Sequence, residues 1–268
     1  MRVLLVCGNH PRHNFLANIL LENKLLSSLI IEKRESFVPK LTSDYSDKII
    51  ELHNLHFSKR KEAEIEIFGD EEVNFDKILQ VKVGEINSIK SHNFILQEKP
   101  DVVITCGCGI LSNETLKILP TQTWNIHGGL SPWFKGAITH FWPSYLLKPQ
   151  YTGVTIHYIS SKIDAGNIIH QTPAVLVKDD GLHQLSARSL KLGFLSVIAL
   201  LKKFKSNGEI NSTQQKLTGK LWLKKDWNPE HLLLIYNTFN DKIVDMYITN
   251  KLNQDKPKIY DNFNTTNY

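Results

Sequence analysis

Three polar side chains in the middle of this 268-residue chain are of the types that act on a carbonyl carbon: Asn125, His127 and Asp164. The first two lie in Trp124-Asn125-Ile126-His127-Gly128-Gly129, the third in Asp164-Ala165-Gly166-Asn167-Ile168-Ile169. On a strand, the i and i+2 spacing of Asn125 and His127 turns both to one face and Ile126 to the other. When an amine attacks a small acyl carbon, an oxyanion and a protonated nitrogen develop. Asn125 and a protonated His127 could donate hydrogen bonds to that oxyanion, a stabilisation often worth about 3 kcal/mol. Asp164 could orient His127, support its positive form, and help remove the amine proton directly or through water. Gly128 and Gly129 leave the backbone room to turn and a ligand room to approach. No serine or cysteine nucleophile is required. Ser131 stands before Pro132 with no base beside it and reads as a turn residue.

The elements that must position these groups follow from the apolar pattern. Val3 to Cys7 and Asp101 to Cys106 are short apolar runs ending at glycine, the pattern of strands buried on both faces. Trp124 to His127 predicts a third strand. A helix is expected from His13 to Leu26 and a short strand at Leu29 to Ile31, which together open the chain as a βαβ unit. Residues 34–60 are polar and mixed, and Glu62 to Phe68 reads helical. A strand is expected near Val81 to Gly84, and a helix over Ser88 to Gln97 that stops before Pro100. Ser112 or Asn113 caps a short helix. Thr152 to Ile159 alternates as a half-buried strand, and Ile168 to Val177 reads as a strand pair around Pro173. His183 to Leu201 is strongly helical, and Leu232 to Phe239 is a further helix. A polar pair at the C-terminal end of a parallel strand lies where open α/β sheets bind ligands. The expected fold is α/β, a doubly wound, mostly parallel sheet over residues 1–208. A small C-terminal region, 209–268, follows a break near Ser206 to Ser212, and its tail after Gln254 is expected to be loosely ordered.

Composition excludes more than it identifies. Hydrophobic residues make up 41% and charged residues 22%, enough for a sizeable core. The net charge of +5 is spread along the chain, so clusters such as Lys59-Arg60-Lys61 read as solvated helix faces and no nucleic-acid partner is expected. No apolar run approaches the ~20 residues needed to cross a bilayer, and Met1 to Cys7 lacks the longer apolar stretch of a secretion signal. A cytoplasmic location away from membranes is expected. Cys7, Cys106 and Cys108 are too few and odd in number for a disulfide framework. Cys106-Gly107-Cys108 lacks the second pair that a zinc site needs, so no metal is expected. A metal-dependent hydrolase built on His127, His157, His170 and Asp164 would need a tighter ligand motif than the sequence holds. Gly8 to His13 occupies the first strand-to-helix turn, where backbone N–H groups favour anions. Asn9, Arg12 and His13 are therefore candidate contacts to the amine substrate. His56 to Arg60 is a weaker one that reads as helix surface. Trp222 and Tyr247, taken as exposed apolar positions, could support a homodimer.

Together, Asn125-Ile126-His127-Gly128-Gly129-Leu130-Ser131-Pro132-Trp133-Phe134-Lys135-Gly136 and Asp164-Ala165-Gly166 resemble the formyltransferase family, which includes glycinamide ribonucleotide transformylase, methionyl-tRNA formyltransferase and the sugar N-formyltransferases. The resemblance covers residues 75–200 well and the N-terminal βαβ unit loosely. It implies a Rossmann-like formyltransferase fold, 10-formyltetrahydrofolate as donor, and Asn125, His127 and Asp164 as the catalytic set. It also implies that Cys106 to Leu111 lines a pterin pocket, with Cys108, Gly109, Ile110 and Leu111 in contact. The run Ile159 to Asp164 forms the other wall, with Ile159 and Ile163 as further contacts. Lys135 stands where arginine is common in the family and is a candidate substrate contact. Many members have serine where Gly129 stands and leucine where Ser131 stands. With Thr139-x-Phe141-Trp142-Pro143, the variant looks like the branch found in surface-polysaccharide synthesis. The implied acceptor is a nucleotide-linked amino deoxysugar. The alternatives are methionyl-tRNA or glycinamide ribonucleotide as acceptor, or a non-catalytic folate-binding regulatory protein.

Overall fold

The computed structural model describes residues 1–36, 38–42, 44–215 and 219–263. Its strands are β1 (Val3–Cys7), β2 (Leu26–Lys33), β3 (Ile78–Lys82), β4 (Val102–Cys106), β5 (Thr123–His127), β6 (Phe134–Gly136), β7 (Gly153–Tyr158), β8 (Ile168–Pro173) and β9 (Lys220–Trp222). Its helices are α1 (Pro11–Glu22), α2 (Asp47–Phe68), α3 (Ile89–Glu98), α4 (Asn113–Ile118), α5 (Trp142–Tyr145), α6 (Leu182–Asn207) and α7 (Ile243–Ile248).

β1 and β4 are buried at every residue, which explains runs with no alternation. Successive side chains point to opposite faces. Val3, Leu5 and Cys7 therefore enter a core with Leu16, Phe194 and Leu201, and Leu4 and Val6 enter another with Ile30 and Ile95. Helices α1, α2 and α6 pack on the first face, and α3 and α4 on the second. The seven strands run in the order β3-β2-β1-β4-β5-β7-β8. The five from β3 to β5 are parallel, and β7 and β8 join as antiparallel strands. This is the doubly wound, mostly parallel α/β fold expected from the sequence.

Several elements differ from expectation for identifiable reasons. The polar stretch before Glu62 belongs to one 22-residue helix, α2, whose buried face includes His53 and His56 as well as Ile49 and Leu52; the histidines disguised the apolar stripe. β7 is buried on both faces and not half-buried, because α6 covers one face and the site closes over the other. The expected strand pair over 168–177 is the single strand β8, which ends at Pro173. The expected helix near Leu232 is a π-helical turn, Leu233–Thr238. By length and composition α6 could span a bilayer, yet Leu185, Phe194, Val197, Leu200 and Leu201 are fully buried in it.

The C-terminal residues are woven into the rest of the chain. Trp227, Leu232, Ile235 and Tyr236 share a hydrophobic cluster with Leu52, Phe134, Phe141 and Trp142. Trp222 is not a free apolar face: its ring stacks on Trp142 with centroids 4.2 Å apart. Tyr247 is half-buried. Beyond Gln254, where loose order was expected, residues up to Phe263 run as a strap along β8, while 264–268 lie outside the described residues. Tyr260 exchanges hydrogen bonds with Gln171, its N–H donating to Oε1 at 3.0 Å and its carbonyl accepting from the Gln171 N–H at 2.8 Å. The strap thereby covers an edge strand that would otherwise expose unpaired backbone groups. Asn262, fully buried, fixes its end by donating to the carbonyls of Ile169 (2.8 Å) and Asn211 (2.7 Å) and accepting from Lys203 Nζ (2.7 Å). Asn262→Ala leaves these buried partners unmatched, so a loss of about 2–4 kcal/mol in unfolding free energy is expected. Urea denaturation of wild type and variant measures it.

Candidate active site

The three candidate groups meet at the C-terminal end of β5, beside the point where the sheet changes from parallel to antiparallel. Asn125 and His127 share a face of β5, as their spacing requires. Antiparallel pairing places Asn125 opposite His157 and His127 opposite Thr155. His157 therefore shares their face by register, not by accident of the sheet. Asp164, from the loop after β7, adopts a left-handed backbone (φ 46°), a conformation that Asp tolerates better than most residues.

The Asp164 carboxylate is the hub. Oδ2 accepts the Gly136 N–H at 2.9 Å and lies 3.3 Å from His127 Nδ1. Oδ1 lies 3.5 Å from both Asn125 Nδ2 and His157 Nε2. Burial pushes the Asp164 pKa up, but the interactions with His127 and His157 and the hydrogen bond from the Gly136 N–H outweigh it and hold the carboxyl well below its usual range. The Asn125 amide is set from its other side: Thr105 Oγ1 donates to Oδ1 at 2.8 Å, which turns Nδ2 towards His157 Nε2 at 3.1 Å. His157 Nδ1 donates to the Tyr158 carbonyl at 2.8 Å, leaving Nε2 as the acceptor from Asn125.

Burial lowers the His127 pKa, and the opposing influence of Asp164 and the Phe134 carbonyl does not restore it. Yet Nε2 lies 2.7 Å from the Phe134 carbonyl while Nδ1 faces Asp164. A neutral imidazole can supply only one of those two hydrogens; an imidazolium supplies both. The site is thus shaped to receive a proton. Gly129 permits this packing, since a Cβ there would come within 2.7 Å of His127 Nε2 and 2.6 Å of the Phe134 carbonyl.

A cleft of two adjoining lobes opens on these groups. The smaller, about 470 Å³, is bordered by Asn125, His127 and Asp164 together with Cys108, Gly109, Ile110, Leu111, Ile159 and Ile163. Ile110 is 79% exposed and Ile163 47%, so the walls offer open apolar surface of the kind a flat aromatic ring covers. The larger, about 700 Å³, is bordered by Arg12, Arg34, Arg60 and Lys224 and by the aromatic rings of Phe57, Phe141 and Trp227. Arg12 borders both lobes and is paired with Glu64 of α2. His13 borders the smaller lobe and is buried beneath Gly8 and Gly107. Asn9 borders neither lobe; its Oδ1 accepts the Arg34 N–H at 2.8 Å. Lys135 is buried in β6 opposite Leu221, also away from both. Cys106 and Cys108 are free, and burial pushes their thiols up to about 12, which leaves them poor nucleophiles. Among the described residues, no group of three His, Cys, Asp or Glu side chains is placed to hold a metal ion.

Residues 80–199 match the profile of the formyl transferase family. Over that segment the chain is similar to the formyltransferase family. A methionyl-tRNA formyltransferase of Buchnera aphidicola subsp. Acyrthosiphon pisum is 27% identical over 165 residues, 58% of this chain and 52% of the relative. The chain spans about half the length of the curated relatives it matches. Among solved structures, a sugar N-formyltransferase from a Shewanella species superposes with a TM-score of 0.55 at 18% identity, covering 84% of this chain and 78% of that one. The formyltransferase PseJ from Anoxybacillus kamchatkensis, solved with UDP-4,6-dideoxy-4-formamido-L-AltNAc and tetrahydrofolate, superposes with a TM-score of 0.52 at 18% identity, covering 91% and 96%. These likenesses show a shared formyltransferase fold.

Sequence reading did not find Thr105, Arg34 or Lys224, and it took His56 to Arg60 for helix surface. His56 is 5% exposed; it lies 2.9 Å from the Tyr236 hydroxyl and 3.2 Å from His183 Nε2. Burial pushes His56 down to about 3 and His10 and His140 to about 4, and it lowers His13 and His183 strongly. The unfolded chain takes up protons below about pH 6.5 that these buried rings refuse. Their contribution to stability is therefore complete above pH 6.5 and lost as pH falls towards the folded values. The urea midpoint is expected to drop between about pH 7.5 and about pH 5, before carboxylates titrate; a flat midpoint over that window would contradict the assignment.

Proposed function

We propose that this chain transfers the formyl group of 10-formyltetrahydrofolate to the primary amine of a nucleotide-linked amino deoxysugar, a step of surface-polysaccharide synthesis. The observation that carries the reading is the convergence of Asn125, His127 and Asp164 at the mouth of a cleft with an apolar lobe and a basic lobe. The apolar lobe suits the pterin, held by Cys108 to Leu111 on one side and Ile159 to Ile163 on the other. The basic lobe suits an acceptor that carries phosphate beside a base or sugar. Arg12, Arg34, Arg60 and Lys224 supply charge, and Phe57, Phe141 and Trp227 supply stacking surface. The PseJ structure, with a UDP-linked formamido sugar and tetrahydrofolate, supports the same pairing of ligands. Three free cysteines suit a reducing, cytoplasmic compartment.

In this mechanism the acceptor nitrogen attacks the formyl carbon. The carbonyl π electrons move to oxygen, where the Asn125 amide donates. Asp164, ionised at rest, accepts the proton released by the nitrogen, directly or through water, and it passes to His127. The imidazolium is then held on both sides, by Asp164 and by the Phe134 carbonyl. Collapse breaks the bond to the folate nitrogen, which leaves with that proton. Asn125→Ala, His127→Asn and Asp164→Asn are each expected to lower kcat by about 10²–10⁴ with the fold intact. Spectrophotometric tetrahydrofolate release, screened over amino-sugar nucleotides, measures it, and near-normal turnover in any two variants would reject this site.

A second reading follows from the curated relatives, which are named methionyl-tRNA formyltransferases. Broad tRNA contact calls for an extended basic surface, whereas Asp226, Glu230, Asp241 and Asp245 intersperse the C-terminal residues. A gel shift with initiator tRNA at about 0.15 M salt separates the two. No shift is expected, and a specific shift at that salt would favour the tRNA acceptor.

A further inference from the structure

β2 carries a carboxyl group that neither the acyl chemistry nor the apolar core accounts for. Glu32 is 0% exposed and follows Leu29, Ile30 and Ile31 in a buried strand. Withdrawing a carboxylate from water costs several kcal/mol unless donors fill its lone pairs. Here the donors come from three separate segments. The Gly84 N–H reaches Oε1 at 2.8 Å, the Gly109 N–H reaches Oε2 at 2.7 Å, and Arg34 Nε lies 3.2 Å from Oε2. Arg34 continues the chain of contacts, its Nη1 donating to the Gly107 carbonyl at 3.2 Å. The approach is close enough that a Cβ on Gly109 would stand 3.0 Å from Glu32 Oε1.

The positions of these partners give the contact its meaning. Gly109, Ile110 and Leu111 border the smaller lobe, Arg34 borders the larger, and Gly107 borders both. We infer that Glu32 is a positioning residue shared by the two substrate lobes. One carboxyl group fixes the 107–111 wall of the donor lobe and aims the Arg34 guanidinium into the acceptor lobe. Arg34 is about one-third exposed at its side chain; without Glu32 its guanidinium retains, among the described residues, the Gly107 carbonyl and can swing towards solvent. A purely structural role would not require the partners of one buried acid to lie on both sides of a substrate cleft. The assignment of donor and acceptor to the lobes rests on the proposed formyl transfer; the clamp itself does not.

Glu32→Gln tests it, because the side chain keeps its size while the new amide NH2 cannot accept from Gly109 or Arg34. Three measurements apply: titration calorimetry with 5-formyltetrahydrofolate, steady-state kinetics for both substrates, and hydrogen exchange over residues 107–111. In a folded variant, the folate Kd and the acceptor KM are each expected to rise about tenfold, kcat to fall less than threefold, and the 107–111 amides to exchange about tenfold faster. Unchanged Kd, KM and exchange in that variant would overturn the inference. Arg34→Lys cannot reproduce both guanidinium contacts. It is expected to raise the acceptor KM about tenfold and the folate Kd less than threefold. Should Glu32→Gln not fold, an unaltered acceptor KM in Arg34→Lys would overturn the inference. If the wild-type chain bound no 5-formyltetrahydrofolate, the formyl-transfer reading would fail, and the exchange measurement would still decide the clamp.

Discussion

The site depends on the cost of keeping the Asp164 carboxylate largely out of water. A buried negative charge is tolerated only when polar groups converge on it, and here its polar neighbours arrive from three strands. Gly136 comes from β6, Asn125 and His127 from β5, and His157 from β7. The carboxylate therefore fixes the relative positions of three strands and a loop. The reverse also holds. Because β5 and β7 pair antiparallel, Asn125 and His157 stand opposite each other, and their side chains form the pocket that the charge fills. Chemistry and architecture are satisfied by the same contacts.

A second balance operates across the cleft. The larger lobe gathers Arg12, Arg34, Arg60 and Lys224, while its floor includes His56 and His183, both kept uncharged chiefly by burial. Neutral rings beneath a cationic rim let the lobe attract an anion without accumulating repulsive charge in its depth. Two of the arginines have acidic counterparts close by, Glu64 for Arg12 and Glu32 for Arg34. These hold the guanidinium groups in place more than they cancel them, since Arg presents several donors in a fixed fork and one carboxylate does not use them all.

Some of this was legible in the sequence, for physical reasons that particular residues make plain. Doubly buried strands such as Val3–Cys7 and Val102–Cys106 read as apolar runs because each residue faces a core. The i, i+2 placement of Asn125 and His127 survives folding because strand geometry is local. What stayed hidden is what strand pairing decides. His157 lies on a strand that reads as half-buried, and only its register against β5 brings it to Asn125. Thr105 joins the site because β4 is the neighbour on the other side. Helix α2 was fragmented in the sequence reading because His53 and His56 occupy core positions that polarity rules assign to solvent. Arg34 and Lys224 are separated by most of the chain and meet only across the cleft.

The same reasoning changes the standing of the C-terminal residues. β9 pairs in parallel with β6, setting Gly136 beside Trp222, and the Ala137 N–H donates to the Trp222 carbonyl at 2.8 Å. Gly136 is in a positive-φ conformation (93°), and a Cβ there would lie 2.1 Å from the Trp222 carbonyl oxygen. Only glycine fits that approach. The N–H of this glycine is the one that holds Asp164 Oδ2. A strand from beyond residue 218 thus presses directly on the backbone that orients the hub of the site, while Trp227 and Lys224 border the larger lobe. A segment that reads as an appended module from its polar turns and scattered tryptophans is, in packing terms, one wall of the larger lobe and a support for the carboxylate. Changes in the 220–240 segment should therefore be felt at Asp164 through the short path on which Trp222 packs against Gly136 and the Gly136 N–H holds Oδ2.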